Sequence, residues 1–408
     1  MGDFTLPITQ RGWYGPVLLS AALCWGLAHP IASPVRDAVT EHSVLGYQLL
    51  FSPTYLVLAP WCSLADAVTI LSLKELYILF AYVLVIGFLF FRGLKQKLLY
   101  TLGFLAFMIW GALANRPAAR LVTSNSDILL IDFHSHTMHS HDGRPGFSAT
   151  DNMEWHRRQG FNAAFISDHN TPNASHQAKE RSRRDWKITG YRSLEGNETS
   201  LYQTHLNVLG SHRWIDNRPY DTGMLAIPKF VKEMKHEGYV VTANLPEYWR
   251  FHWSQGRMAF LSWPVDGFEI ANSAPRALDF PQNLKQQIIH FCEQHDLFVD
   301  GASDTHGWGY ATSVWNAMVV PGWQTLDPDQ LEKNVLEKLK TEGRFHAVQV
   351  LERVKFFPHS FWELAISPFG NGIILLRTLG FKRALSFFIW TWFLYVLSSI
   401  RIGQHSRR

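Results

Sequence analysis

Residues 128–143 read ILLIDFHSHTMHSHDG, and the rest of the chain is organised around this stretch. Ile128, Leu129, Leu130 and Ile131 form a short apolar run, the signature of a strand buried on both faces. The run breaks into Asp132, His134, His136, His139, His141 and Asp142. In an extended chain, residues i and i+2 point to the same side, so His134 and His136 project together from the strand end. Two imidazoles at that spacing can hold one divalent cation. Other His and acidic residues fall at the ends of later strand-like runs, which makes this the first ligand cluster of a metal-dependent hydrolase.

Downstream, strand-like and helix-like patterns alternate. Phe161–Ser167 runs into Asp168 and His169, Tyr191–Leu194 leads to Glu195 and Glu198, and His205–Leu209 follows. Tyr239–Thr242, Gly267–Ala271, Leu297–Val299 and Ala347–Val350 are the later strands. Helical patterns cover Ser148–Gln159, Pro172–Trp186, Ile227–His236, Gln282–Gln294 and Asp327–Thr341. Such alternation predicts an α/β barrel of parallel strands and crossover helices, its site at the strand C-termini. The groups collected there are His134, His136, His141 or Asp142, His169, Glu198, His205, Asp304 and His306. Imidazole and carboxylate together suit zinc, manganese or iron, and a carboxylate can bridge two ions. Two or three close cations suit the hydrolysis of phosphate esters.

These segments also resemble a known family, the PHP (polymerase and histidinol phosphatase) domain, over roughly Ile128 to Val350. DFHSHT with SHDG resembles its first motif and FISDHN its second; GNETS followed by THLNVLG, then DGFEIAN and GASDTHG, resemble the later ones. The resemblance implies a distorted (β/α)7 barrel. It implies one metal held by His134, His136, Glu198 and Asp304, and a second bound by His205 and bridged by Glu198. A third would sit near His169, His306 and either Asp142 or His141. Asp304, Glu198 and His306 are then the residues expected to act in catalysis, on metal-activated water. One departure stands out: Asn244 occupies a position where the family usually has His, with His252 as a nearby substitute. Asp132 and Asp168 precede ligand histidines and are expected to orient them. Arg250 and Arg257, in an aromatic-rich loop from Tyr248 to Trp263 that should shape the pocket, suit phosphate oxygens. His139, His156, His176, His212, His236, His290, His295, His346 and His359 match no ligand position and read as surface or packing residues.

Composition divides the chain. Sixteen of the nineteen histidines lie between His134 and His359, and charged residues are scarce before about Ala118 and after about Phe361. The net charge of +4, with no basic block in the middle, makes nucleic acid an unexpected partner. Cys24, Cys62 and Cys292 are too scattered to suggest a disulfide framework. The flanks read as membrane, since a helix needs roughly 20 apolar residues to cross a bilayer. Val17–Ile31, Val44–Leu58, Leu76–Phe91, Leu99–Leu113 and Leu385–Ile400 are the candidate spans; Ile366–Leu376, broken by Pro368 and Gly370, suggests an interfacial segment.

The expected organisation is a membrane domain over 1–120 with about four transmembrane helices, a hydrolase domain over 127–356, and a membrane segment over 361–408. The last would hold one or two helices and a basic tail. RGLKQK, residues 92–97, should stay cytoplasmic, which turns the polar domain toward the outside or periplasm of a bacterial inner membrane. The function expected is a membrane-anchored phosphoesterase acting on a phosphate mono- or diester: a lipid headgroup, an envelope polymer or a small exported phosphate. The alternatives are a metal-binding membrane sensor or scaffold without turnover, and a hydrolase of non-phosphate esters or amides.

Overall fold

The computed structural model describes residues 13–405 apart from 203, 257, 258, 310 and 342. Arg257 and the side chain of His252 lie outside the described residues, as does the end of the basic tail. The strands, in chain order, are β1 (Val35–Asp37), β2 (Tyr47–Phe51), β3 (Ala119–Thr123), β4 (Ile128–Asp132), β5 (Ala163–Ile166) and β6 (Arg192–Leu201). There follow β7 (Thr204–Leu209), β8 (Val240–Ala243), β9 (Gly267–Asn272), β10 (Phe298–Ala302), β11 (Val314–Val319) and β12 (Gln349–Arg353). Ten of them form one sheet in the order β1-β12-β11-β4-β5-β6-β7-β8-β9-β10. The opening run behaves as its composition demands: Leu129 and Ile131 join one apolar cluster and Leu130 another, so β4 is buried on both faces.

The sheet is mixed, which corrects the uniformly parallel barrel read from the alternation. Parallel neighbours are β4–β5, β5–β6, β8–β9 and β9–β10. The pairs β6–β7, β7–β8, β11–β4, β11–β12 and β1–β12 are antiparallel. Only residues 202 and 203 separate β6 from β7, too few for a crossover, so the chain must turn straight back. β11 has no helical partner in the sequence pattern, and alternation does not predict it.

The sheet curls into a half-barrel whose two arms meet through a side chain. Asn316 on β11 accepts from the Gly301 amide (2.8 Å) and donates to the Gly301 carbonyl (2.6 Å) on β10. Its amide thus replaces both backbone partners that a neighbouring strand would have supplied. A Cβ at Gly301 would lie 2.8 Å from Val350 Cγ1 and closer still to Val314 Cγ1, so only glycine fits at this seam.

The flanks differ from expectation in three ways. Val44–Leu58 is no span: it holds β2, paired antiparallel with β3, and a short helix Pro53–Val57 capped by Ser52. The first 120 residues also lend β1 to the main sheet, through Val35–Arg353 pairing. Ile366–Leu376 lies within one continuous helix, Phe361–Thr378, that carries Pro368 inside it. Three described helices are long and apolar enough to cross a membrane: Leu73–Phe90, Leu94–Leu113 and Gly380–Ile400. The helix Tyr14–Ala28 is apolar but shorter.

Candidate metal centre

Each strand end delivers its groups to one place. The chain beyond β4 carries His134 and His136, and the chain beyond β10 carries Asp304 and His306. These two extensions pair with one another: the Asp304 amide donates to the His134 carbonyl (3.0 Å) and the His136 amide to the Thr305 carbonyl (2.8 Å). Asp304 holds φ +48°, a left-handed conformation uncommon outside glycine and typical of functional positions. β6 runs on to Leu201, so Glu198 lies within the strand, where the sequence placed it beyond the strand's end. His205 stands on β7, and His169 follows β5.

Glu198 is the centre of the cluster. Its Oε1 lies 3.2 Å from His134 Nε2 and 3.0 Å from His205 Nδ1, and its Oε2 lies 3.2 Å from His136 Nε2 and 2.9 Å from His169 Nδ1. Asp304 Oδ1 is 3.4 Å from both His134 Nε2 and His136 Nε2. Ligand atoms about 2.0–2.2 Å from a shared ion stand roughly 2.8–3.6 Å from each other, from octahedral to tetrahedral angles, so these separations fit ligands that share ions. Asp142 Oδ1 is 3.2 Å from His306 Nε2 and 3.4 Å from His169 Nε2. His141, exposed beside it, can join Asp142 and His169 in a further three-atom group.

The outer nitrogens explain why the inner ones converge. His134 Nδ1 donates to Glu269 (2.9 Å), and His306 Nδ1 donates to the carbonyl of Asp304 (2.9 Å). His136 Nδ1 meets Ser140 Oγ at 2.9 Å, while Ser140 spends its only proton on Asp168 (2.8 Å). Ser140 must therefore accept from His136. All three rings then turn a lone pair inward at Nε2, and for His134 and His136 those nitrogens stand 2.8 Å apart. Two lone pairs at that distance repel unless a cation or proton lies between them. Glu198 Oε2, Asp304 Oδ1, His169 Nδ1 and His306 Nε2 are buried without a hydrogen bond of acceptable geometry, although their neighbours are near. They crowd together with their hydrogen-bonding capacity unspent, and this donor set fits divalent cations.

The electrostatics agree with that geometry. Burial opposes charge on His134, but Glu198, Asp304 and Glu269 outweigh it and push its pKa well above the usual histidine range. In the same way burial is overcome at His169, pushed up to about 10 by Glu198 and Asp142, and at His306, pushed up to about 9 by Asp142 and Asp304. Burial and the neighbouring His306 lower His136. Burial would raise Glu198, yet His205, His134 and His169 hold it well below the carboxylate range. Protons here occupy positions that cations would take.

Several residues do other work than the sequence suggested. Asp132 meets ligand His134 at its backbone amide (3.4 Å) and not at its ring; it also accepts from the Ser303 amide (3.0 Å) and faces His156 (2.9 Å), one of the histidines expected at the surface or in packing and here fully buried. Asp168 supports His136 through Ser140 and takes the amide and hydroxyl of Thr137 (2.6 and 2.7 Å), leaving the adjacent His169 to others. Asn244 donates to Glu198 Oε1 at 2.6 Å. Glu195 pairs with buried Lys179 (3.0 Å), away from the cluster. Arg250 stacks over Trp249 and faces Asp279 at 3.7 Å, so it is engaged elsewhere. The first part of the aromatic loop lies in a helix, Leu245–Gly256, and its Tyr248 hydroxyl lies 2.9 Å from His205 Nε2. Glu269 and Asn272, in the DGFEIAN segment, are supports that sequence reasoning missed; Asn272 donates to Glu269 (2.8 Å) and to Asp304 (3.1 Å). An acidic residue on a buried strand was the available signal.

No family model matches the sequence, and no curated protein matches it. Among solved structures, one from Bifidobacterium adolescentis described as a candidate metal-dependent phosphoesterase is 16% identical, covering 51% of this chain and 96% of its own, at a TM-score of 0.35. PsfC from Pseudomonas syringae is 12% identical over 60% of this chain and 96% of its own, at 0.34. An amidohydrolase from Chromobacterium violaceum, with bound sulfate and no metal, is 14% identical over 52% and 98%, at 0.33. Likenesses this loose carry no functional argument.

Proposed function

We propose that this chain is a PHP-type, metal-dependent phosphoesterase anchored in a membrane by its apolar helices. The observation that carries the reading is the pair of inward-facing nitrogens of His134 and His136, 2.8 Å apart, with their outer nitrogens committed to Glu269 and Ser140. His134, His136, Glu198 and Asp304 would hold one divalent ion, Glu198 and His205 a second, and His169, His306 and Asp142 or His141 a third. Such ions supply Lewis acidity, acidify water and neutralise charge on phosphoryl oxygens. In the hydrolysis, the oxygen of water bonds to phosphorus, the ester P–O bond breaks, and a proton passes to the leaving oxygen. The attacking water is the source of that proton. Glu269, Ser140 and Asp168 are positioning residues that fix ring orientation and tautomer.

The membrane reading is supported by the three long apolar helices. Arg92, Lys95 and Lys97 lie at the turn between the first two, and the positive-inside rule would keep that turn cytoplasmic, with the catalytic sheet on the opposite side. A second reading, a metal-binding sensor without turnover, is favoured by Asn244, whose amide takes up a lone pair of Glu198 Oε1. Hydrolysis of para-nitrophenyl phosphate and its bis-ester by the purified chain, with manganese or zinc and an Asp304→Ala control, separates the two. Metal-dependent turnover that the variant lacks supports the phosphoesterase; bound metal with no turnover of either ester supports the sensor.

A further inference from the structure

The candidate metal centre shares a cavity of about 500 Å³ with an apolar surface. Asp142, Asp304 and His306 line it, and so do Leu73, Leu76 and Met108. The apolar lining belongs to two of the helices long and apolar enough to cross a membrane, Leu73–Phe90 and Leu94–Leu113. Backbone hydrogen bonds tie those helices to the site loops. The Leu73 amide donates to the Pro275 carbonyl (2.9 Å), and the Gly309 amide donates to the Ala112 carbonyl (3.1 Å). One helix begins at the site and the other ends there. At about 1.5 Å per residue, their shared turn at Arg92 lies roughly 27 Å away, close to the thickness of a bilayer core.

Polar and apolar groups therefore line one cavity. Exposed Trp308 donates its indole N–H to the Asp142 carbonyl (3.0 Å) and lines the same cavity. An exposed indole beside candidate spanning helices suits the level of lipid headgroups. Exposed Arg276 lines the same cavity, where a guanidinium can meet phosphate oxygens. A small hydrophilic phosphate would leave the Leu73, Leu76 and Met108 surface in contact with water. An apolar chain would cover it.

We propose that this cavity is the substrate channel and that its occupant is an amphiphilic phosphate ester, its phosphate at Asp142, Asp304 and His306 and its alkyl chain between the two helices. The inference rests on the phosphoesterase reading and names the substrate class for the same site. The ester would reach the centre from the bilayer, sliding along the helix pair, and its phosphate would leave on the aqueous side.

The test is binding of ethyl-, butyl-, hexyl- and octylphosphonate, which cannot be hydrolysed at the P–C bond, to the full chain in detergent, by calorimetry with manganese present. Affinity is expected to rise with chain length, by up to about fourfold for each methylene that finds room. Leu76→Gln and Met108→Gln, at half-exposed positions outside the metal cluster, are expected to flatten that rise, so that octylphosphonate loses far more affinity than ethylphosphonate. Affinity independent of chain length overturns the proposal, as does an equal rise in both variants, which would reflect partition into detergent. Hydrolysis of para-nitrophenyl phosphate, run in parallel, distinguishes the failures. Turnover without chain-length dependence removes the channel and keeps the phosphoesterase. Chain-length dependence lost in the variants, without turnover of any ester, keeps the amphiphile site and removes the hydrolase.

Discussion

His134 reaches Glu269 through Nδ1 at 2.9 Å and turns Nε2 to Glu198 and Asp304 on its other side. One residue on β9 thereby sets which nitrogen of a residue beyond β4 is free. Replacing Glu269 with Gln removes the charge that favours Nδ1–H and loosens the ring. Metal affinity is expected to fall by about 10–100-fold, the range for partners of ligating histidines. Titration with zinc against a competing chelator measures it; unchanged affinity would mean that Glu269 only fills space.

Asn244 donates to Glu198 Oε1 at 2.6 Å, and its backbone amide donates to the His205 carbonyl at 3.1 Å. It stands where a further imidazole could join Glu198 and His205. Asn244→His is expected to tighten binding of the weakest ion, by about tenfold. The same chelator competition reads it, and weaker binding in the variant would show that the amide's hold on Glu198 matters more than an added ligand.

Asp300 lies on β10, register-paired with Glu269, with one oxygen unpartnered. Burial, followed by the charge of Glu269, pushes its carboxyl well above the carboxylate range. The folded chain thus holds a proton there that the unfolded chain gives up at lower pH. Stability from this group is present below the unfolded value and is lost as pH rises toward the folded one. Asp300→Asn removes that loss. The melting temperature of the variant relative to wild type should climb between pH 5 and pH 8, by a few degrees; a difference that stays flat or falls would contradict it.

Gly301 closes the curled sheet against Asn316 with no room for a Cβ beside Val314 and Val350. Gly301→Ala must push β-branched side chains held by the core, at a cost of about 1–3 kcal/mol. Chemical denaturation of the polar domain's tryptophan signal tests this, and wild-type stability in the variant would mean that the seam can open without cost.

What the sequence disclosed, it disclosed through period and spacing. The ILLID run declared β4, and histidines two apart declared a common side, because both depend only on local geometry. The groups gathered around Glu198 could be collected because most of them sit beside apolar runs. Long-range choices were less legible. The return of β6 onto β7 turned on a two-residue connection that alternation does not register, and β1 joined the sheet across some 300 positions of sequence, which no local pattern records. The apolar stretch at Val44–Leu58 misled because β2 alternates between more and less buried residues, which apolar content alone does not show. Glu269 and His156 escaped notice because support for a ligand is a matter of distance in space, with no fixed spacing in sequence.

The most direct test of the central claim is the metal content of the purified full chain after exposure to zinc or manganese and removal of the excess, by elemental analysis, beside Glu198→Gln. A centre built around one shared carboxylate predicts about two or more ions per chain in the wild type. It also predicts a clear loss in the variant, since Glu198 faces four histidines at 2.9–3.2 Å. Less than one ion per wild-type chain, or equal content in the two proteins, would contradict it.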